Sequence, residues 1–297
     1  MANLKSPFVS ALKAMSIWLS GLMIIAALTP AQAVEQETLL LQQNDQKWPI
    51  MAVTINGQQT QALLDTGATI AMIDDDLLAF EAPVNGPLET RVLGIGGQRL
   101  FPITEMSSLS AGVRSWHGLR VAVNTADEFP IQQNILPTSL FDDSIVDFDF
   151  KNARVQLYGG YPKFVKDTRR SAIRYIEHEG LIFIPVRING VRGKALIDTG
   201  ASVSFVNPYF AKRARGVPQF QDEQDIQGSD LERNRVQIYR LRRLQFGDNQ
   251  ISSFDIPVFE TDMFKTLGFG EEPMMVMGMD LLEHFRLQLD QKRQRIV

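Results

Sequence analysis

Residues 53–74 read VTINGQQTQALLDTGATIAMID, and residues 186–207 read VRINGVRGKALIDTGASVSFVN. The two stretches align without a gap at an offset of 133 residues. Both carry Ile-Asn-Gly, then Ala-Leu, then one apolar residue and Asp-Thr-Gly-Ala. A repeat of this length indicates that two parts of the chain have the same local structure.

The similarity extends beyond these stretches. Residues 135–140 (ILPTSL) resemble residues 276–281 (VMGMDL), and Phe148-Asp149 and Arg154-Val155 match Leu289-Asp290 and Arg295-Ile296, at an offset of 141 residues. The second copy therefore has about eight extra residues in its middle. The pattern predicts a tandem duplication that covers most of the chain.

The composition is that of a globular protein. The chain has 297 residues, of which 44% are hydrophobic and 22% are charged, and it contains no cysteine. This length allows one large or two modest domains. The formal net charge of −4 argues against a nucleic-acid partner. The lack of cysteine excludes thiol catalysis, thiolate metal sites and disulfides.

Residues 1–33 differ from the rest of the chain. Lys5 and Lys13 precede a short apolar run, and Ala31-Gln32-Ala33 supplies the small residues of a cleavage site. This pattern predicts a signal peptide, with export to the periplasm or the medium. The alternative is an uncleaved helix that anchors the protein to a membrane. We expect an N-terminal lobe at 34–160, a linker at 161–175 and a C-terminal lobe at 176–297.

Each copy reads mainly as β-strands. An alternating apolar segment precedes each Asn-Gly, which is the strongest short signal for a tight hairpin. A second apolar strand then ends at Asp65 in one copy and at Asp198 in the other. Many short strands and few helices predict an all-β fold with a β-barrel-like domain in each half.

The duplicated Asp-Thr-Gly is the strongest candidate for chemistry. A single copy is most often only a turn, but two copies in the same repeat context favour a shared site. Related lobes that pack about a pseudo-two-fold axis would bring the two carboxyls together. Such a pair shares one proton, so that one member can act as a base and the other as an acid.

These residues resemble the retropepsin-like and pepsin-like aspartic proteases, and most closely the bacterial retropepsin-like branch. The resemblance covers both predicted lobes. It rests on the segments Leu63–Ala68 and Leu196–Ala201, on the glycine-rich Leu93–Gly97 and on Val276-Met277-Gly278. It implies a bilobal all-β fold and an aspartic endopeptidase that needs neither a cofactor nor a metal.

The resemblance also implies roles for individual residues. Asp65 and Asp198 would activate the lytic water, Thr66 and Thr199 would bond to the opposite loop, and Gly67 and Gly200 would give their backbone N–H groups to the carboxyls. A flap over an extended polypeptide substrate would contain Leu93, Gly94, Ile95, Gly96 and Gly97. The polar second copy keeps only Gly228 there, so we expect either one flap or two unequal ones.

Two departures from the family pattern stand out. Pro137 occupies the position at which the family usually has glycine, so the packing under Asp65 must differ locally. Ala68 and Ala201 replace the hydroxyl residue that pepsins place beside the carboxyl. The loss of that hydrogen bond favours an optimum at weakly acidic or neutral pH.

Other readings remain open. The three histidines, His117, His178 and His284, are far apart, so no metal site is expected. The chain could instead be a catalytically silent peptide-binding protein of the same fold, or a structural protein of envelope assembly. We expect a monomer whose two lobes form one intramolecular interface, with a membrane contact only if the N-terminal segment stays uncleaved.

Overall fold

A computed structural model describes residues 36–42, 48–78, 89–93, 98–125, 132–227 and 233–297. Val34–Val297 forms one compact unit. The predicted signal peptide, residues 1–33, lies outside the described residues. Among the residues that the structure describes, none of the helices reaches the length and apolar character needed to cross a membrane.

The first half of the chain supplies ten strands. In chain order they are β1 (Glu37–Leu40), β2 (Ile50–Ile55), β3 (Gln58–Asp65), β4 (Met72–Asp74), β5 (Glu89–Leu93), β6 (Gln98–Ala111), β7 (Arg114–Asn124), β8 (Ile135–Pro137), β9 (Ile145–Asp149) and β10 (Arg154–Tyr158). Six of them pair in the order β2-β3-β8-β4-β7-β6, and β6 pairs back with β2. This closed ring is called the first barrel below.

The second half repeats this arrangement. Its strands are β11 (Ile173–Arg174), β12 (Ile176–His178), β13 (Leu181–Ile188), β14 (Val191–Ile197), β15 (Phe205–Val206), β16 (Val217–Gln227), β17 (Arg233–Phe246), β18 (Asn249–Val258), β19 (Met274–Met277), β20 (Arg286–Asp290) and β21 (Arg295–Ile296). The second barrel is the ring β13-β14-β19-β15-β18-β17, which closes by pairing of β17 with β13.

The helices of the described residues are short. They are α1 (Pro208–Arg213), α2 (Asp262–Thr266) and α3 (Met279–Leu282), with 3-10 turns at Asp75–Leu77, Thr138–Phe141, Phe150–Asn152 and Gln291–Arg293. Asn207 caps α1, because its side chain accepts a hydrogen bond from the N–H of Phe210. Asp74 caps the 3-10 turn at the corresponding place of the first barrel.

In each barrel, the predicted Asn-Gly turn makes hydrogen bonds to neighbouring segments of the same half. Asn56 and Asn189 have φ angles of 47° and 50°, which Asn tolerates better than most residues. The side chain of Asn56 bonds Leu77 O at 3.0 Å and the N–H of Ser108 at 3.0 Å. Asn189 makes the equivalent bond to Ala214 O at 2.7 Å. Each turn therefore also fixes the loop and the strand beside it.

A six-stranded sheet joins the two halves. Its order is β1-β10-β9-β20-β21-β11, and β9 pairs antiparallel with β20, so that Val146 lies opposite Leu289. The end of the predicted linker contributes β11 as an edge strand. Because three strands of each half meet in one sheet at the pairing of β9 with β20, the halves cannot separate without breaking backbone hydrogen bonds.

A buried ion pair crosses this joining sheet. Arg286 donates to both oxygens of Asp147, at 2.7 and 2.8 Å, and Asp147 is fully buried. Tyr158 and Gln288 also donate to Asp147, at 3.0 and 3.1 Å. The carboxylate therefore has several donors, which is the condition under which a buried charge is tolerated.

The architecture confirms the predicted fold class. The protein is all-β and bilobal, with two related barrels, and the equivalent strands of the two halves pair in the same order. The lobe boundaries at 160 and 176 remain predictions. The joining sheet was not visible in the sequence, because the pairing of β9 with β20 depends on how the two barrels pack.

Candidate active site

The two Asp-Thr-Gly segments leave equivalent strands at the same end of the two barrels. Asp65 is the last residue of β3, which lies between β2 and β8, and Asp198 directly follows β14. The preceding residues are buried: Leu64 has no exposed surface, and Ile197 is 3% exposed. The N–H of Asp198 donates to Met277 O at 3.1 Å. The buried ends of β3 and β14 therefore fix the positions at which the two carboxyls leave the barrel cores.

The two threonines exchange hydrogen bonds between the barrels. The Thr66 hydroxyl donates to Ile197 O at 2.7 Å and accepts from the N–H of Thr199 at 3.0 Å. The Thr199 hydroxyl donates to Leu64 O at 2.8 Å and accepts from the N–H of Thr66 at 3.0 Å. Both side chains are buried. The bonds are reciprocal, so each loop fixes the position of the other.

The two glycines let each loop approach the opposite carboxyl. A Cβ on Gly67 would lie 2.6 Å from the carboxyl carbon of Asp198, and one on Gly200 would lie 2.7 Å from that of Asp65. No side chain fits at such distances. Each glycine also donates its N–H to the carboxyl of its own loop, at 2.7 Å to Asp65 and 2.9 Å to Asp198.

The carboxyls of Asp65 and Asp198 lie close together and interact directly. Burial and the negative charge of Asp198 raise the pKa of Asp65 well above its usual value. Burial also raises the pKa of Asp198, but N–H groups of Gly200 and Ala201 and the interaction with Asp65 oppose this shift. The two carboxyls therefore titrate as one pair that keeps a proton to higher pH than an isolated aspartate does.

A polar network supports the loop of Asp198. Ser204 donates its hydroxyl to Asp280 at 2.5 Å and accepts from the N–H of Gly278 at 2.9 Å. Asp280 also accepts from the N–H of Ser204 at 2.9 Å. A Cβ at Gly278 would lie 2.7 Å from Ala201 O. The network therefore joins the loop after Asp198 to the start of α3 at a position where only glycine fits.

The first barrel lacks this network at both ends. Ala71 occupies the position equivalent to Ser204, and Pro137 the position equivalent to Gly278. Pro137 has no N–H to donate, and Ala71 has no hydroxyl to accept it. Both residues are buried. The two departures compensate each other, so Pro137 leaves no unpaired polar group at this position. In the sequence alone, Pro137 was an isolated departure. Its relation to Ala71 becomes visible only when the hydrogen bond between Gly278 and Ser204 is combined with the repeat alignment.

A long hairpin rises from each barrel at the predicted flap positions. Strands β5 and β6 pair antiparallel, with Leu93 opposite Gln98, and β16 and β17 pair with Gln227 opposite Arg233. Gly94, Ile95, Gly96, Gly97 and Gly228 belong to the connections between these strands and lie outside the described residues. Gln98 donates to the Thr266 hydroxyl of the second half at 2.9 Å. The first hairpin thus contacts α2 of the second half at the residue that follows the connection between its two strands.

The described part of the chain contains no cluster of three or more His, Asp or Glu side chains that could hold a metal ion. His117 contacts Ser107 O, and His178 contacts Leu267 O. His284 lies 4.0 Å from the carboxylate of Glu283. The carboxyls of Asp65 and Asp198 are therefore the titratable groups that the structure brings together at the end of the barrels.

A protein-family model described as aspartyl protease matches the chain at residues 51–140 and 184–281. These two regions fall on the two barrels and together cover more than half of the chain. This chain belongs to the aspartyl protease family. No individually curated protein matches it.

Membership of the aspartyl protease family agrees with the retropepsin-like resemblance of the sequence. Each barrel carries its own family match and its own Asp-Thr-Gly, so the site needs both halves of one chain. Sequence reasoning did not find Ser204, Asp280 or Ala71. The repeat alignment could have revealed Ser204 and Ala71, because it places Ala71 of the first copy opposite Ser204 of the second.

Proposed function

We propose that this aspartyl protease family member is an exported endopeptidase in which Asp65 and Asp198 form one catalytic pair. The observation that carries the proposal is the direct approach of the two carboxyls, held by the reciprocal bonds of Thr66 and Thr199. A protein that only bound peptides would gain nothing from bringing two carboxyls together, since a buried like-charge pair raises the cost of ionisation.

The proposed mechanism uses a water between the carboxyls. Asp198 takes a proton from this water, whose oxygen attacks the peptide carbonyl carbon while Asp65 gives its proton to the carbonyl oxygen. The neutral tetrahedral intermediate then collapses: Asp198 gives its proton to the leaving nitrogen, Asp65 takes a proton from one hydroxyl of the intermediate, and the C–N bond breaks. One water is consumed, and the pair ends with one shared proton as it began.

The substrate class is polypeptide, as for the protease family in general. Strands β5 and β6 in the first half and β16 and β17 in the second form two hairpins at equivalent places of the two halves. A peptide in extended conformation would add backbone hydrogen bonds to such strands. We therefore propose that the substrate binds as a strand between the two hairpins.

The export proposal rests on residues 1–33 alone, with their two lysines, short apolar run and Ala31-Gln32-Ala33. Export would place the endopeptidase in the periplasm or outside the cell, and an uncleaved segment would anchor it to the membrane. The N-terminal sequence of the protein recovered from the producing cells distinguishes these outcomes. A start at Val34 supports cleavage, and a start at Met1 or Ala2 contradicts it.

A peptide-library assay tests the catalytic proposal. The purified full chain, Asp65→Asn and Asp198→Asn are incubated with the library between pH 3 and pH 8. We expect cleavage by the wild type and loss of cleavage in both variants. Equal cleavage by either variant contradicts the paired mechanism. Binding of peptides without cleavage by the wild type would favour the silent peptide-binding protein.

A further inference from the structure

A cavity of about 310 Å³ lies beside the loop of Asp198, where Ile197 and Met277 form part of its wall. Its wall is mainly apolar and is formed by the end of the linker, the second barrel and the joining sheet. The residues that define it best are Ile173, Ile184, Ile197, Met277, Leu282 and Phe285. This volume is at the lower end of the range for small-molecule sites, which are typically apolar with a few polar groups.

One position of the cavity wall carries a smaller side chain than its equivalent in the first half. Phe141 is fully buried in the first half and packs edge-on against Trp116 at 5.4 Å. The residue equivalent to Phe141 is Leu282, which lines the cavity. Residue 282 therefore contributes no ring to the wall, whose aromatic side chains are Phe246 and Phe285, packed edge-on at 5.4 Å.

The charges around the cavity are mostly positive, the exception being the terminal carboxylate of Val297. Its lining includes Lys163, Arg169, Arg170 and Arg286 but no Asp or Glu side chain. Arg286 is neutralised by Asp147. Lys163, Arg169 and Arg170 are exposed, and in the described residues none of the three forms an ion pair with a carboxylate. An apolar cavity with an unneutralised cationic rim suits a ligand that has an apolar body and an anionic head.

One buried polar atom of the lining also lacks a partner. The amide oxygen of Gln288 accepts no hydrogen bond in the described part of the chain, and Gln288 is 2% exposed. Buried acceptors are normally satisfied. We expect the cavity contents to supply the donor, for which one bound water beside the ligand is sufficient.

We propose that this cavity is a second binding site, and that its ligand is a small amphipathic anion such as a medium-chain carboxylate. The ligand's apolar chain lies against Ile173, Ile184 and Leu282, and its anionic head lies at Arg169 and Arg170. Ile197 and Met277 border the cavity and also offer the carbonyls that hold Thr66 and Asp198. An occupant would therefore touch the strands that carry the second half of the catalytic pair.

Calorimetric titration of the full chain with decanoate tests this proposal without a measurement of proteolysis, so its result is independent of the proposed function. We expect one decanoate per chain. Decanol, which lacks the charge, should bind about tenfold more weakly or worse, and decyltrimethylammonium should not bind. The absence of saturable decanoate binding at millimolar concentration overturns the proposal, as does equal binding of the cationic analogue.

Two variants locate the binding. The double variant Arg169→Gln/Arg170→Gln should weaken decanoate binding about tenfold or more, whereas Lys166→Gln, which removes an exposed charge of the same segment outside the lining, should not. Leu282→Phe, which restores the side chain of the first half, should abolish binding. Unchanged affinity in either the double variant or a folded Leu282→Phe contradicts the assignment. The arginine variant keeps the test decisive if Leu282→Phe does not fold.

Discussion

Asp65 and Asp198 stand in the same sequence context but not in the same environment. Asp65 is 8% exposed, and the pKa-raising effect of burial is reinforced there by the charge of Asp198. Asp198 is half-buried, and two backbone N–H groups stabilise the ionised form of each carboxyl. The repeat therefore supplies two equal carboxyls, and the packing of the two loops couples them into one titrating pair.

The raised pKa of Asp65 predicts how stability depends on pH. A carboxyl with a raised pKa stabilises the fold while it is protonated, below about pH 4, and this contribution is lost as the pH rises through the raised pKa. Asp65→Asn cannot ionise at residue 65. We therefore expect its melting temperature, relative to the wild type, to increase from about pH 4 to pH 8.

Asp149→Asn is a control for which the opposite pH dependence of stability is expected. Burial acts to raise the pKa of Asp149, but hydrogen bonds from Asn152 and Arg154 and the charge of Arg286 lower it overall. Its stabilising contribution is present above about pH 4 and is lost in acid. Asp149→Asn should destabilise the protein most at neutral pH. A melting difference for Asp65→Asn that is flat or falls with pH would contradict the raised pKa.

The threonine exchange predicts a second effect at single residues. Thr66→Val keeps the shape of the side chain but leaves Ile197 O and the N–H of Thr199 without their partner. We expect a loss of about 2 to 4 kcal/mol in the free energy of unfolding and reduced peptidase activity. Denaturant titration measures the first. Thr66→Ser, which retains the hydroxyl, should recover most of both, and failure to do so would show that the methyl packing matters more.

At the scale of elements, the two barrels support the catalytic loops differently. The second barrel uses Ser204, Gly278 and Asp280, and the first uses Ala71 and Pro137. Proline restricts the backbone and so reduces the entropy of the unfolded chain, whereas the second barrel depends on hydrogen bonds. The two halves therefore share the same Asp-Thr-Gly loop but stabilise it by different interactions.

A double-mutant cycle tests this exchange. Ala71→Ser alone should destabilise the protein by about 1 to 2 kcal/mol, because the buried hydroxyl meets no N–H on Pro137. Combined with Pro137→Gly, the same substitution should cost less than the sum of the single changes, since the pair recreates the donor and acceptor of the second barrel. Thermal or denaturant unfolding of the four proteins measures the coupling. Strict additivity would mean that the two positions do not compensate.

The sequence predicted these elements unevenly. The Asn-Gly hairpins and the apolar strands that end in Asp65 and Asp198 follow from local signals, because turn residues and alternation act over a few positions. The parallel pairing of β3 with β8 and of β14 with β19 does not, since it joins segments about 70 to 80 residues apart through packing alone. The same limit hid the contact of Ser204 with Asp280.

At the scale of the whole molecule, the joining sheet makes one unit of two barrels. Asp147 comes from β9 and Arg286 from β20, so the ion pair between them crosses the boundary of the two halves. Arg286→Met should lower the free energy of unfolding by about 3 to 5 kcal/mol, because it leaves the fully buried Asp147 without its main donor. Denaturant unfolding measures the loss.

Lys265→Gln is the matched control for this prediction. Lys265 pairs with Glu260 and Asp262 at 3.1 and 3.3 Å, but its side chain is more than half exposed. Exposed pairs contribute little, so the change should stay within about 1 kcal/mol. A loss from Arg286→Met no larger than that of the control would show that the joining sheet does not depend on the pair.

The duplication made the site predictable at this scale, because two Asp-Thr-Gly segments in two related halves imply a shared centre. What the sequence could not supply was the relation between the halves. The reciprocal bonds of Thr66 and Thr199 and the pairing of β9 with β20 exist only between the two barrels. Neither half alone contains both partners of these contacts, so they become visible only in the folded chain.

The pH dependence of peptide cleavage tests the paired-carboxyl site most directly. Because burial raises the pKa of both Asp65 and Asp198, kcat/KM of the wild type should follow a bell-shaped curve with its maximum at weakly acidic to neutral pH. Asp65→Asn and Asp198→Asn should show only background cleavage at every pH. A maximum near pH 2, or a bell-shaped curve that persists in either variant, would contradict a single proton shared by these two residues.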